Sequence, residues 1–418
     1  MTLSAKTDRR FVRARGDSTR YVLVTLTAPT RERATDRPAL NVAFILDRSG
    51  SMGGQKIALA REAVVRAIGG LGERDRFSVV AYDDRIDVVV ESTNASAEAK
   101  RNAVERLRAI DARGSTNLAE GWLRGAEQVA LHQADGAVNR CLLLTDGLAN
   151  VGLTDADALQ AHAAELRARG IGTTTFGVGA DFDERLLQSL ADAGGGHFYF
   201  IERAVQIPDF ITSELGELLE VVARDVAVDV QLAPDFRLDT LSPLAVERRN
   251  GGCRLAIGDL VSGQEVEIAV SLRFPAGEVG RTVSAFFTVG DGDGMFAAEG
   301  GCSVSWEYAT DAVNDSQPRD RSVDRAVARL YAAQAEQEAL QLNAIGEFTQ
   351  AQRRLASVAE RIRGYAGDDS ELVALATGLD AQQLAYSEPM PAMDRKQRFA
   401  VSHNMARSRD LQGRAHRR

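Results

Sequence analysis

The stretch Asn41–Met52, NVAFILDRSGSM, constrains this chain more than any other. The apolar run Val42 to Leu46 stops abruptly at Asp47, and Ser49 and Ser51 follow at alternate positions with Gly50 between them. An unbroken apolar run of this length reads as a strand buried on both faces, which needs helices to cover it. A carboxylate and two spaced hydroxyls at the end of such a strand contribute little to a core. They suit a hard cation, because Mg²⁺ prefers oxygen ligands in near-octahedral geometry.

The surrounding pattern supports a buried strand. From about Asn41 to Val222, β-rich and helix-periodic segments alternate. Lys56–Leu71 places Ile57, Leu59, Ala60, Ala63, Val64 and Ile68 on one helical face. Phe77–Tyr82, Ile86–Val90, Arg140–Thr145, Thr173–Val178 and His197–Ile201 read as strands. Ala97–Ile110, Leu118–Gln133, Ala156–Arg169, Glu184–Ala193 and Pro208–Val222 read as helices. This rhythm predicts an α/β fold with a doubly wound, mainly parallel sheet.

Beyond it the pattern changes. Asp225 to about Tyr308 alternates apolar and polar residues between Gly, Pro, Asn and Asp, as in an all-β sandwich. Thr19–Pro29 has the same character, so the expectation is that it joins that sandwich and that the α/β domain is inserted into it. Val323–Leu342 and Thr349–Arg363, separated by NAIGEF, read as an α-helical hairpin. A weaker helical pattern follows at Ser370–Ala385. The expected domains are N-terminal strands over 1–37, the α/β domain over 38–223, the β sandwich over 224–310, a helical region over 320–386 and a flexible basic tail over 387–418.

Composition narrows the function. The 418 residues suffice for several domains, and 44% hydrophobic with 26% charged residues is ordinary globular usage. A net charge of −9 disfavours wholesale nucleic-acid binding, leaving only the basic tail as a contact for it. Cys141, Cys253 and Cys302 match no zinc spacing and point to a reducing compartment. The start, MTLSAKTDRRFVRARG, lacks an apolar core of the kind signal peptides have, and no segment is long and apolar enough to span a bilayer. The expectation is a cytoplasmic protein.

Three separated loops offer oxygen ligands beside strand ends or helix starts. They are Asp47-x-Ser49-x-Ser51, Gly114-Ser115-Thr116-Asn117 and Thr145-Asp146-Gly147. In a doubly wound sheet ligands bind beyond the carboxyl ends of the strands, so the three can converge. Taken singly, each has an ordinary explanation: Asp47, Ser49, Ser51 and Thr116 as helix caps, Asp146-Gly147 as a turn. Asp83 and Asp84 at the same edge read as solvated turn carboxylates, Asn117 as an orienting residue, and Leu148–Val151 as a surface loop that could meet a partner. The five histidines show no ligand spacing, and His197 reads as part of a packed strand end. No G-x-S-x-G elbow, phosphate-acceptor loop or dinucleotide fingerprint accompanies these residues.

The ordered set DRSGS, GSTN and TDG closely resembles the von Willebrand factor A-type family and its metal-ion-dependent adhesion site. The resemblance covers roughly Asn41–Val222 and implies a metal site made by Asp47, Ser49, Ser51, Thr116 and Asp146. Ser49, Ser51 and Thr116 would give hydroxyl oxygens, while Asp47 and Asp146 would hold the ion directly or through water. The implied ion is Mg²⁺, with Ca²⁺ or Mn²⁺ as alternatives. An open coordination position would take a Glu or Asp carboxylate from a protein partner. The resemblance further implies that ligand binding shifts the last helix of the domain, about Ile207–Val222. The reading is therefore a non-enzymatic scaffold or adaptor. A metal-dependent hydrolase and a surface adhesion protein resembling calcium-activated chloride channel homologues are the alternatives.

Overall fold

Three strands precede the α/β block: β1 (Thr2–Thr7), β2 (Phe11–Arg13) and β3 (Ser18–Thr27). They belong to a discontinuous unit, Met1–Thr30 with Ala223–Arg418, while Arg31–Val222 forms a second unit. The computed structural model describes residues 1–16, 18–31, 37–134, 136–294, 296 and 301–417.

The Arg31–Val222 unit is a six-stranded sheet with helices. Its strands are β4 (Leu40–Asp47), β5 (Arg76–Tyr82), β6 (Ile86–Asn94), β7 (Val138–Thr145), β8 (Ile171–Val178) and β9 (Gly195–Ile201). They lie in the order β6-β5-β4-β7-β8-β9, and β6 alone runs antiparallel to its neighbour. The helices are α1 (Gln55–Gly70), α2 (Ala97–Arg108), α3 (Leu118–Ala130), α4 (Ala156–Ala168), α5 (Glu184–Ala193) and α6 (Ile207–Leu219). β4 pairs with β5 on one side and β7 on the other, so all eight of its residues are buried. That central placement explains its unbroken apolar run.

Helix α3 lies close against the sheet because two of its core-facing positions are glycines. A Cβ on Gly121 would stand 2.4 Å from the Tyr82 ring, and one on Gly125 would stand 2.4 Å from Ile45. Trp122 between them is fully buried and donates its indole N–H to Thr173 Oγ1 at 3.1 Å. This seating fixes the start of α3, and with it the Thr116 loop.

The other unit continues with β10 (Val221–Gln231), β11 (Arg237–Thr240), β12 (Ala245–Arg249), β13 (Gly252–Val261), β14 (Glu265–Phe274), β15 (Thr282–Gly290) and β16 (Cys302–Ala309). A four-stranded sheet runs β1-β3-β14-β11, and a six-stranded sheet runs β12-β13-β10-β15-β16-β2. β3 pairs antiparallel with β14 from Ser18↔Phe274 to Thr27↔Glu265. The segment before the α/β block therefore shares a sheet with strands that follow it, as its alternation predicts. Phe274 of the first sheet packs edge-on against Trp306 of the second, with centroids 5.1 Å apart.

Among the described residues five helices complete this unit: α7 (Asp311–Ser316), α8 (Arg321–Ala344), α9 (Phe348–Ala366), α10 (Ser370–Gln382) and α11 (Ala392–Ala406). Val323, Val327 and Leu330 of α8 pack with Leu23 and Ala269 in one buried cluster. The α8–α9 turn falls at Gly346, whose φ of +82° suits glycine.

The flexible-tail expectation for 387–418 is corrected here. Residues 392–406 are helical, Phe399 is buried, and Ala406 joins the α8 cluster. Beyond it Ser408 Oγ bonds Glu267 O, and Arg417 bridges Gln264. The stretch read as solvated because its charges were counted without their partners: Arg398 meets Glu336, and Arg414 meets Asp410. Among the described residues no helix is long and apolar enough to cross a membrane.

Candidate functional site

β4 delivers Asp47 to the carboxyl edge of the sheet, where its side chain is fully buried. Asp47 Oδ1 accepts the backbone N–H of Ser49 at 2.8 Å, which turns the chain sharply after the strand. Asp47 Oδ2 accepts the Thr145 hydroxyl at 2.6 Å, linking the end of β4 to the end of β7. A short 3-10 turn, Gly50–Met52, then leads towards α1. It brings Ser51 Oγ within 3.1 Å of Ser49 Oγ and lets Ser51 donate to Asp146 Oδ1 at 2.6 Å. Asp146 is fully buried, and Ser49 nearly so.

Thr116 arrives from the loop before α3. Asn117 caps that helix by accepting the Glu120 N–H, and its own N–H bonds Asp83 O. Asn150 Oδ1 accepts the Thr116 N–H at 3.1 Å, while the Asn150 and Val151 N–H groups reach back to Thr116 O. The Gly50 N–H bonds Gly114 O at 3.0 Å, tying the first loop to the second. At Gly114, φ is +69° and a Cβ would stand 2.1 Å from Asp84 Oδ1, so glycine is required. A Cβ on Gly147 would lie 3.4 Å from Thr116 Oγ1 and 3.7 Å from Ser51 Oγ. The two hydroxyls thus border one small space beside Gly147.

All five residues expected from the sequence meet at this edge. Burial pushes the Asp47 carboxyl up to about 6, and the neighbouring Asp146 charge pushes the same way. The hydrogen bonds from Thr145 and Ser49 act against that shift without cancelling it. Among the described residues no cation stands beside Asp47. Two buried carboxylates and three hydroxyls around such a point match the donor set of a hard divalent cation. The residues present therefore fit Mg²⁺.

Several participants were not legible beforehand. Lys56 ion-pairs with Asp146 from the first turn of α1. A lysine there opposes the helix dipole, and that mismatch is a signal the sequence offered. Asp83, read as a solvated turn carboxylate, is instead fully buried. It accepts from Arg113 Nε at 2.5 Å and the Arg85 N–H at 2.7 Å, and so braces the base of the Thr116 loop. Asn150, read as part of a surface loop, holds the Thr116 backbone.

A second polar cluster joins β9 to α6. Ligand-type atoms of His197, Glu214 and Glu217 lie within 4.8 Å of one another. Glu214 is fully buried and takes hydrogen bonds from Thr174 Oγ1 at 2.7 Å and Tyr199 OH at 2.8 Å, with His197 Nδ1 at 3.0 Å. Burial alone would raise its pKa. The charge and hydrogen bond of His197, then Arg140 and Thr174, outweigh burial and hold it well below the usual carboxylate range. His197 and Glu214 are 17 positions apart, a spacing that marks no motif.

Comparison with known proteins agrees with the fold. A family pattern described as von Willebrand factor type A domain matches residues 41–213. The uncharacterized protein YfbK of Escherichia coli (strain K12) is 30% identical over 248 residues, which cover 57% of this chain and 43% of that protein. Inter-alpha-trypsin inhibitor heavy chain H4 of Sus scrofa is 32% identical over 213 residues, 47% of this chain and 23% of that protein. The chain thus spans less than two thirds of the curated relatives it matches. A von Willebrand factor type A structure from Catenulispora acidiphila superposes with a TM-score of 0.72 at 19% identity, covering 93% of this chain and 97% of that one. The ArnB paralog VWA2 from Sulfolobus acidocaldarius gives 0.59 at 15% identity, covering 97% and 98%. The six-stranded sheet of this chain and the matching family pattern agree: residues 41–213 are a von Willebrand factor type A (VWA) domain.

Proposed function

We propose that this protein is a metal-dependent protein–protein interaction module, a scaffold or adaptor that binds an acidic residue of its partner. Asp47, Ser49, Ser51, Thr116 and Asp146 would hold the cation, Mg²⁺ in preference to Ca²⁺ or Mn²⁺. The observation behind this reading is the buried Asp47 carboxylate, raised to about 6 with no cation beside it among the described residues and ringed by hydroxyl and carboxylate oxygens. When bound, the ion supplies an electrophilic centre for a Glu or Asp carboxylate oxygen. Three hydroxyl donors among five residues offset little of the divalent charge, so that centre stays attractive to an acid. Gly147 leaves the approach clear, and the exposed Leu148 beside it offers the partner an apolar contact.

The reading is of a binder and not an enzyme, since the Ser49 and Ser51 hydroxyls are engaged with each other and Ser51 with Asp146. The unpaired cysteines Cys141, Cys253 and Cys302 suit a cytoplasmic location. Helix α6 runs into β10 through Glu220 alone, so a shift of α6 on partner binding would act directly on that strand. Affinity capture with wild type and Asp146→Ala, each with Mg²⁺ and with EDTA, tests the proposal. Partners retained only by wild type with Mg²⁺ are expected. The same partners retained under all four conditions would overturn it.

A further inference from the structure

The unit formed by Met1–Thr30 and Ala223–Arg418 contains a cavity of about 340 Å³ with an unusual lining. Five arginines face it: Arg9, Arg13, Arg20, Arg319 and Arg361. Among the described residues no carboxylate lines it. In a chain of net charge −9, so local a concentration of guanidinium groups calls for a cause.

Neighbouring acids fix these arginines without neutralising them. Asp8, buried behind the cavity, meets Arg9 at 3.2 Å and Arg319 at 3.9 Å. Asp324 takes Arg319 at 2.5 Å, and Asp315 takes Arg13 at 2.6 Å. Asp8, Asp315 and Asp324 form ion pairs with Arg9, Arg13 and Arg319, while among the described residues Arg20 and Arg361 form no ion pair with a carboxylate. Arg20 feels both its burial and the neighbouring guanidinium groups. Burial first, and then the charge of Arg9, with Asp8 opposing and Arg319 and Arg13 adding, push its guanidinium down to about 10.

The arginines are also held in place. Arg361 lies over the Tyr331 ring at 4.3 Å and spends one N–H on Tyr21 OH at 2.6 Å. Arg319 lies over Tyr365 at 4.9 Å. Arg20 is braced by Phe11 O, Thr19 O and Asn314. A guanidinium carries five N–H donors, so Arg9, Arg13 and Arg361 keep donors beyond these contacts. Planar forks fixed on aromatic faces and converging from several elements match phosphate oxygens in shape and charge. The volume lies near the lower end of the roughly 300–1,000 Å³ typical of small-molecule pockets.

We propose that this cavity binds a small phosphate-bearing anion, with Arg9, Arg13 and Arg361 donating to the phosphate oxygens and Arg20 and Arg319 completing the positive wall. The site lies outside the VWA domain and shares no residue with the strand-end cluster.

Calorimetric titration of the full chain with inorganic pyrophosphate, inorganic phosphate and succinate tests this, in EDTA at constant ionic strength. Saturable binding of one pyrophosphate per chain is expected, with phosphate weaker and succinate weaker still. Arg9→Gln and Arg361→Gln should each weaken pyrophosphate binding about tenfold, one charge-assisted contact apiece. Arg20→Gln is avoided because that side chain also braces two backbone carbonyls. Melting temperature shows that each variant is folded. Absence of saturable binding overturns the proposal, as does wild-type affinity in the folded Arg9→Gln/Arg361→Gln double variant. Succinate bound as tightly as pyrophosphate overturns the phosphate assignment.

Discussion

Asp47 and Glu214 are both fully buried in the same α/β unit, yet burial has opposite outcomes for them. Asp47 is surrounded by hydroxyls, a backbone N–H and a second carboxylate, and its pKa rises to about 6. Glu214 meets His197, with Arg140 contributing charge and Thr174 and Tyr199 donating hydrogen bonds, and its pKa falls. The difference lies in the positive charge the fold supplies. A carboxylate that the chain itself neutralises is structural: Glu214 fastens α6 to β8 and β9. A buried carboxylate with no cation beside it costs stability, and under the proposed function that cost would become affinity for a divalent ion.

The sharpest way to break the comparison is to neutralise each carboxylate in turn. Glu214→Gln removes one partner of a buried charged network and should destabilise the fold by about 3–5 kcal/mol. Glu214 has a folded-state pKa below its unfolded value of about 4.3, so its contribution is complete above that pH. It is lost as pH falls through the folded value. Denaturant melts at pH 7 and pH 3 should therefore show a large wild-type advantage that narrows on acidification.

Asp47→Asn should do the reverse. In EDTA at pH 7.5 it should stabilise the protein by about 1–3 kcal/mol, since the raised pKa marks a charge the metal-free fold disfavours. Here the sign is opposite: wild type loses stability as pH climbs from the unfolded value of about 3.9 towards about 6. The gain should therefore vanish near pH 4. A less stable Asp47→Asn protein in EDTA at pH 7.5 would remove the contrast between the two carboxylates.

The smallest effect concerns Lys56, which pairs with Asp146 and so supplies part of the charge an ion would bring. Lys56→Met should tighten Mg²⁺ binding about tenfold by titration calorimetry. Weaker binding would show that the ammonium supports the site instead of competing for it.

What the sequence revealed follows from how local each signal is. The Asp47, Thr116 and Asp146 loops abut strands or helices with strong periodicity, so their convergence followed from the rule for parallel sheets. Alternation in Thr19–Pro29 matched that after Asp225, and β3 indeed pairs with β14. The His197–Glu214 link was illegible because it depends on packing α6 against β9, not on spacing. The arginine cavity gathers Arg9 and Arg361 from opposite ends of the chain, so no window of sequence contains it. Helix α11 was missed because its apolar side, Phe399 and Ala400, is short and set among charges whose partners lie on other elements.

Asp47, Ser49, Ser51, Thr116 and Asp146 are proposed to hold a divalent cation. The most direct test is titration of EDTA-stripped, desalted full-length protein with MgCl₂, followed by calorimetry, beside Asp146→Ala. One saturable Mg²⁺ site per chain in wild type, weakened at least about a hundredfold in the folded variant, is the predicted result. No saturable binding in wild type, or equal affinity in the two proteins, would contradict it.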